Sequence, residues 1–155
     1  DGLCIDIIRF GGCTGLFYDP TWRVSFDPPP MWSPGGCIYP GCIGTWWDPP
    51  GLTWILLFGH PFHPMGLEGQ VLDWMALNPA DILVSVRWVP FEYGIGYLLE
   101  WWVPDPFDPS LDLWRVELWA NSSVGHVGFS GQYFIVDELF VRPAIFLSMS
   151  TLCLD

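Results

Sequence analysis

The chain has 155 residues with five arginines, no lysine and 17 acids, for a formal net charge of −12 at pH 7. That balance excludes nucleic acid, whose phosphates are held through Lys and Arg, and it argues equally against anionic membrane surfaces. A hydrophobic content of 51% excludes a disordered chain, and no apolar run approaches the roughly 20 residues that a membrane-spanning helix needs.

Residues 11–69 hold 21 of the 33 Gly and Pro, a density that forbids long helices and favours turns joined by short extended pieces. Strands are expected there at 3–10, 21–26 and 52–58. Five Asp-Pro pairs, led by Asp19, Asp27, Asp48, Asp105 and Asp108, predict turns, because the residue before Pro is pushed extended and Asp caps its own turn. Leu67, Val71, Leu72 and Met75 share a helical face before the Asn78-Pro79 stop, which predicts one short helix over 67–77. Residues 70–155 form the strand-rich half, with further strands expected at 82–89, 97–103, 111–120, 133–140 and 144–149. Between Asp112 and Trp119 the residues Trp114, Val116 and Leu118 alternate with Leu113, Arg115, Glu117 and Trp119, a period of two with one greasy and one mixed face. The expected architecture is mainly β, a single compact domain over 1–155 with short strands, many Gly/Pro turns and about one helix.

Five cysteines leave several states open. The spacings fit two local disulfides, Cys4–Cys13 and Cys37–Cys42, with Cys153 left over; they fit buried free thiols as well, and a zinc site poorly.

Candidate chemistry is sparse. In His60-Pro61-Phe62-His63-Pro64 a polyproline spacing holds the two imidazoles roughly 9 Å apart at the backbone, and no carboxylate set completes a metal site. Asp105, Asp108 and Asp112 lack the alternation and central Gly of a calcium loop and read as a solvated turn. Gly128-Phe129-Ser130-Gly131 lacks the strand–turn–helix setting of a nucleophile elbow. Nothing in the spacing of Glu92, Glu100, Glu117 and Glu138 brings them together, and without Lys no phosphate-cradling loop exists. The expectation is a non-enzymatic protein without metal or cofactor.

Tryptophan is the sharper feature. Adjacent strand residues face opposite ways, so Trp46-Trp47 and Trp101-Trp102 each send one indole inward and one outward. An outward indole, with Trp119 as a further candidate, suits stacking on a sugar or packing against another subunit.

The stretch Val136-Asp137-Glu138-Leu139-Phe140-Val141-Arg142-Pro143-Ala144-Ile145-Phe146-Leu147 resembles the closing strand of bacterial C-type-lectin-like surface modules, in its Val141-Arg142-Pro143-Ala144 pattern after a glycine-turned hairpin over 125–131. The resemblance implies a surface-exposed binding fold, often without catalysis, with Arg142 as a contact residue. Two functions are therefore expected: first, a structural subunit of an extracellular or cell-surface filament, sheath or shell, binding copies of itself; second, a lectin-like module binding carbohydrate or protein. The first draws on the scarcity of solvating side chains and a mean hydropathy of +0.34.

Overall fold

The computed structural model describes residues 15–91 and 94–155; the expected strand over 3–10, the Cys4–Cys13 pairing and Glu92 fall outside them. In the turn-dense half the chain makes short strands: β1 (Phe17–Asp19), β2 (Val24–Phe26), β3 (Ser33–Gly35), β4 (Cys42–Trp47) and β5 (Trp54–His60). Asp residues close the turns between them as expected: the Asp48 carboxylate accepts the amides of Leu52 and Thr53 at 2.8 and 2.9 Å. The helix α1 (Gly66–Ala76) follows, one residue from its predicted span. Then come β6 (Ile82–Phe91), β7 (Gly94–Val103), β8 (Leu113–Asn121), β9 (His126–Phe134), a second helix α2 (Glu138–Met149) and β10 (Cys153–Leu154).

Seven strands form one antiparallel sheet in the order β3-β4-β5-β9-β8-β7-β6, and β1, β2 and β10 form a second, three-stranded sheet. The fold is mainly β, in one compact domain. Helix α1 covers one face of the large sheet, while α2 and the small sheet cover the other. The period of two in β8 carries this sidedness. Val116, Leu118 and Ala120 pack into the core beneath α2 together with Phe26, Phe129, Ile145 and Met149, whereas Trp119 packs on the α1 side with Phe58, Leu99 and Trp101. Fully burying one such large apolar side chain stabilises the fold by roughly 1.5–3 kcal/mol.

Two expectations fail in the last third. The predicted strands at 133–140 and 144–149 are the end of β9 and the helix α2, and the predicted turn over 125–131 is the strand β9 itself. The glycines are there for clearance. A Cβ on Gly128 would stand 2.4 Å from the Phe58 ring, and one on Gly131 would stand 2.7 Å from Ile145. In α2 the buried residues Ile145, Phe146 and Met149, with half-buried Val141, form one helical stripe. Pro143 sits inside the helix on its exposed side, at the cost of one i→i−4 hydrogen bond. Val141-Arg142-Pro143-Ala144 is thus a helical turn, which removes the ground for the lectin-like resemblance.

Arg142 has a structural task. Its Nη1 lies 2.6 Å from Glu100 Oε1 and donates to the Tyr133 hydroxyl at 3.1 Å, and its guanidinium lies over the Phe146 ring at 4.5 Å. Trp114 Nε1 donates to the same Glu100 oxygen at 3.0 Å. These bonds clamp α2 onto β7 and β9, and burial pushes the Tyr133 hydroxyl up to about 12.

Candidate ligand-binding site

Beneath α1 the register of four strands lays side chains in rows. One row across β5, β9, β8 and β7 reads Leu56, Ser130, Glu117, Leu99; the next reads Trp54, Gln132, Arg115, Trp101. The mixed face of β8 therefore puts a carboxylate and a guanidinium into a surface that is otherwise aromatic and aliphatic. Glu117 is fully buried. Its Oε2 accepts Trp74 Nε1 from α1 at 2.5 Å, and its Oε1 lies 3.4 Å from Arg115 Nε. Arg115 Nη1 pairs with Asp81 at 2.7 Å, and the guanidinium lies 5.3 Å from the Trp101 ring centre. Burial pushes the Glu117 carboxyl above its usual range, against the pull of Arg115 and Trp74.

The first row is buried throughout, whereas Trp54 and Gln132 at one end of the second are only half-buried. Trp74 stacks on Phe58 at 4.7 Å, and beside that stack a half-open cavity of about 520 Å³ remains. Trp54, Leu56, Phe58 and Trp74 wall it, Arg115, Ser130 and Gln132 floor it, and Tyr39 and Pro40 form part of its rim. The rim loop is held by the Cys37–Cys42 disulfide and by a 2.8 Å bond from the Gly59 amide to the Gly41 carbonyl. The Ser130 hydroxyl is buried at 1% exposure and has no hydrogen-bond partner among the described residues. A second, more open groove of about 530 Å³ beside Pro28, Pro29 and Pro30 has no charged lining residue.

The remaining candidates are placed elsewhere. Trp46, Trp101 and Trp119 are buried, so none of them is a surface contact; Trp47 and Trp102 are the outward members of their pairs. Trp102 Nε1 donates to Asp112 at 2.9 Å. Arg142 belongs to the α2 clamp. Cys37 and Cys42 pair as expected, whereas Cys153, left over in the spacing argument, is also disulfide-bonded. These bonds suit an oxidising, extracellular or surface-exposed compartment. Asp105, Asp108 and Asp112 serve the local turn through bonds to backbone amides.

The histidines are occupied too. His126 Nδ1 meets Asn121 Oδ1 at 2.6 Å and its Nε2 accepts the His63 amide at 2.9 Å, which fixes the neutral form; burial, then His60 and His63, lower its pKa. His63 Nδ1 accepts the Met65 amide, so its Nε2 is the nitrogen that donates to Asp73 at 2.8 Å. Among the described residues no group of three or more His, Cys, Asp or Glu could hold a metal ion, and no helix is long and apolar enough to cross a membrane.

No family model and no curated protein matches the chain. Solved structures do. Cyanobacterial PsbP (CyanoP) from Synechocystis sp. PCC 6803 superposes with a TM-score of 0.71 over 94% of this chain and 98% of that one, at 13% identity. A protein from Bacteroides thetaiotaomicron VPI-5482 superposes with a TM-score of 0.53 over 90% of this chain and 47% of its own length, at 12% identity. The chain has a PsbP-like fold. That finding replaces the C-type-lectin-like resemblance, and with it both expected functions: the structural likeness is to neither a self-assembling filament or shell subunit nor a lectin. Nothing in the described residues supports copies of the chain or a glycan as partner.

Proposed function

We propose that the chain is a non-catalytic binding domain of PsbP-like fold that works outside the cytoplasm and holds a small, largely apolar ligand between α1 and the large sheet. The observation that carries this reading is the cavity of about 520 Å³ with the unpartnered Ser130 hydroxyl in its floor. A concave, mostly apolar site with a few convergent polar groups is the usual form of a ligand pocket, and a buried hydroxyl without a partner costs about 1–3 kcal/mol. A ligand oxygen would offset that cost. The absence of catalysis is supported by the occupied histidines: His126 has both ring nitrogens bonded, and among the described residues Ser130 has no base within hydrogen-bond reach.

The test is fluorescence titration with Nile red, an uncharged ring-bearing dye. We expect saturable binding to one site in the native protein. Ser130→Leu should abolish it by filling the cavity floor, with the thermal transition retained. Absence of saturable binding, or equal binding by the filled variant, would overturn the proposal.

A further inference from the structure

The chemistry of the cavity is narrower than its apolar character alone. Its walls are flat: Trp54, Trp74 and Phe58 line it and Tyr39 stands at the rim, and ring against ring adds about 0.5–1.5 kcal/mol per pair beyond buried area. Its charges cancel internally. Arg115 reaches into the floor, but Asp81 holds its Nη1 at 2.7 Å and Glu117 faces its Nε at 3.4 Å. A carboxylate or phosphate entering the site meets no unpaired cation and must approach a protein of net charge −12. An ammonium ligand has aromatic faces to attract it, yet it would face the Arg115 guanidinium in the same floor. Among the described residues, the fully buried neutral group of the lining that is left unmatched is the Ser130 hydroxyl, in the row beside Glu117 and Leu56; Gln132 and Asn78 are the more accessible polar residues of the same lining.

Resting on the proposed binding function, we infer that the ligand class is an uncharged, planar, ring-bearing molecule with one carbonyl or hydroxyl oxygen that bonds Ser130. Its rings lie against Trp54 and Trp74, and its oxygen points into the sheet. A cavity of about 520 Å³ has room for two or three fused rings with a short substituent.

Displacement of Nile red from the full chain tests this with four probes of one shape. These are 2-acetylnaphthalene (neutral, with a ketone), 2-isopropenylnaphthalene (the same outline without oxygen), 2-naphthoate (an anion) and a 2-naphthyl trimethylammonium ion. The ketone should displace the dye at a concentration about fivefold below its hydrocarbon isostere, the worth of one hydrogen bond, and at least tenfold below either ion. Ser130→Ala, which retains the cavity and whose own Nile red affinity is measured first because the dye also carries a carbonyl, should erase the ketone's advantage over the isostere. Equal or better displacement by the naphthoate or the ammonium overturns the ligand class and leaves the binding function standing. So does a ketone advantage that survives Ser130→Ala. Failure of the native protein to bind the dye at all removes both readings.

Discussion

Replacing Arg142 with Ala separates a clamp from a binding residue. Glu100 is buried, its side chain 9% exposed, and its Oε1 receives both Arg142 at 2.6 Å and Trp114 at 3.0 Å. Without the guanidinium the carboxylate keeps only the indole N–H, and the Tyr133 hydroxyl loses its donor. Removing one member of a buried ion pair costs about 3–5 kcal/mol. The Arg142 side chain is 27% exposed, so water reaches the gap and the expected loss is about 2–3 kcal/mol, in the range of hydrogen bonds to charged groups. For a domain of this size that is roughly 5–10 °C in Tm. Urea unfolding followed by far-UV circular dichroism measures it, and the Glu100→Gln variant and the double variant complete the cycle with a coupling of at least about 1 kcal/mol. Nile red affinity should stay unchanged, because Arg142 and the cavity lie on opposite faces of the sheet. A stability loss below about 0.5 kcal/mol would refute the clamp.

The pH dependence of stability should carry two opposed contributions. Glu117 has its carboxyl raised in the folded chain, so its contribution is complete below its ordinary value of 4.5 and is lost as pH rises through the folded value; Glu117→Gln should flatten that alkaline-side decline in urea midpoints taken across the pH range. His126 is lowered, so its contribution is complete above its ordinary 6.5 and is lost as pH falls through the folded value; an unchanged acid-side slope in His126→Asn would contradict this. Breaking the rim tether with Cys37→Ser/Cys42→Ser should weaken Nile red binding several-fold while the sheet stays folded, and unaltered affinity would show that Tyr39 and Pro40 play no part in holding the ligand.

Much of the fold was legible because it rests on local signals. The period of two in β8 and the helical face of Leu67, Val71 and Met75 both survive into the structure, without Leu72, which was expected on that face and is exposed; so does the Asp48 turn, since each depends on residues a few positions apart. The strand β9 and the helix α2 were hidden for a different reason. Gly128 and Gly131 look like turn residues until Phe58 and Ile145, from other elements, are seen to occupy the space in front of them. Pro143 and the β-branched Val136, Val141 and Ile145 look like an edge strand until the stripe Val141, Ile145, Met149 is matched to the sheet beneath it. That spacing of four was available in the sequence, but the internal proline outweighed it.

The site was legible in part only. The mixed face of β8 named Arg115, Glu117 and Trp119 as unusual, but a strand read alone does not show what lies across from it. Ser130 and Gln132 enter the site only through register: β9 pairs with β8 so that Ser130 stands beside Glu117 and Gln132 beside Arg115. Strand alternation did place the outward indoles, Trp47 and Trp102, while the large sheet, packed on both faces, takes up others: Trp46 and Trp114 toward α2, Trp54, Trp74, Trp101 and Trp119 toward α1.

The two faces are built to different ends. Toward α2 the sheet presents aliphatic and aromatic side chains with one clamp of Glu100, Arg142 and Tyr133, and the 12-residue helix plus a second sheet close over it. Toward α1 it presents Glu117, Arg115 and Ser130, all buried and each costly to bury, beside a cavity that the helix does not fill. If stability alone governed that face, apolar residues at 115, 117 and 130 would serve it better, since replacing a buried ion pair by packed hydrophobic residues is often neutral or stabilising. Arg115 and Ser130 line the cavity, and Ser130 is the one of the three with no ion contact or hydrogen bond among the described residues. The chemistry that stability does not explain and the space that the fold leaves open coincide there, which is the ground for proposing the α1 face as the binding face.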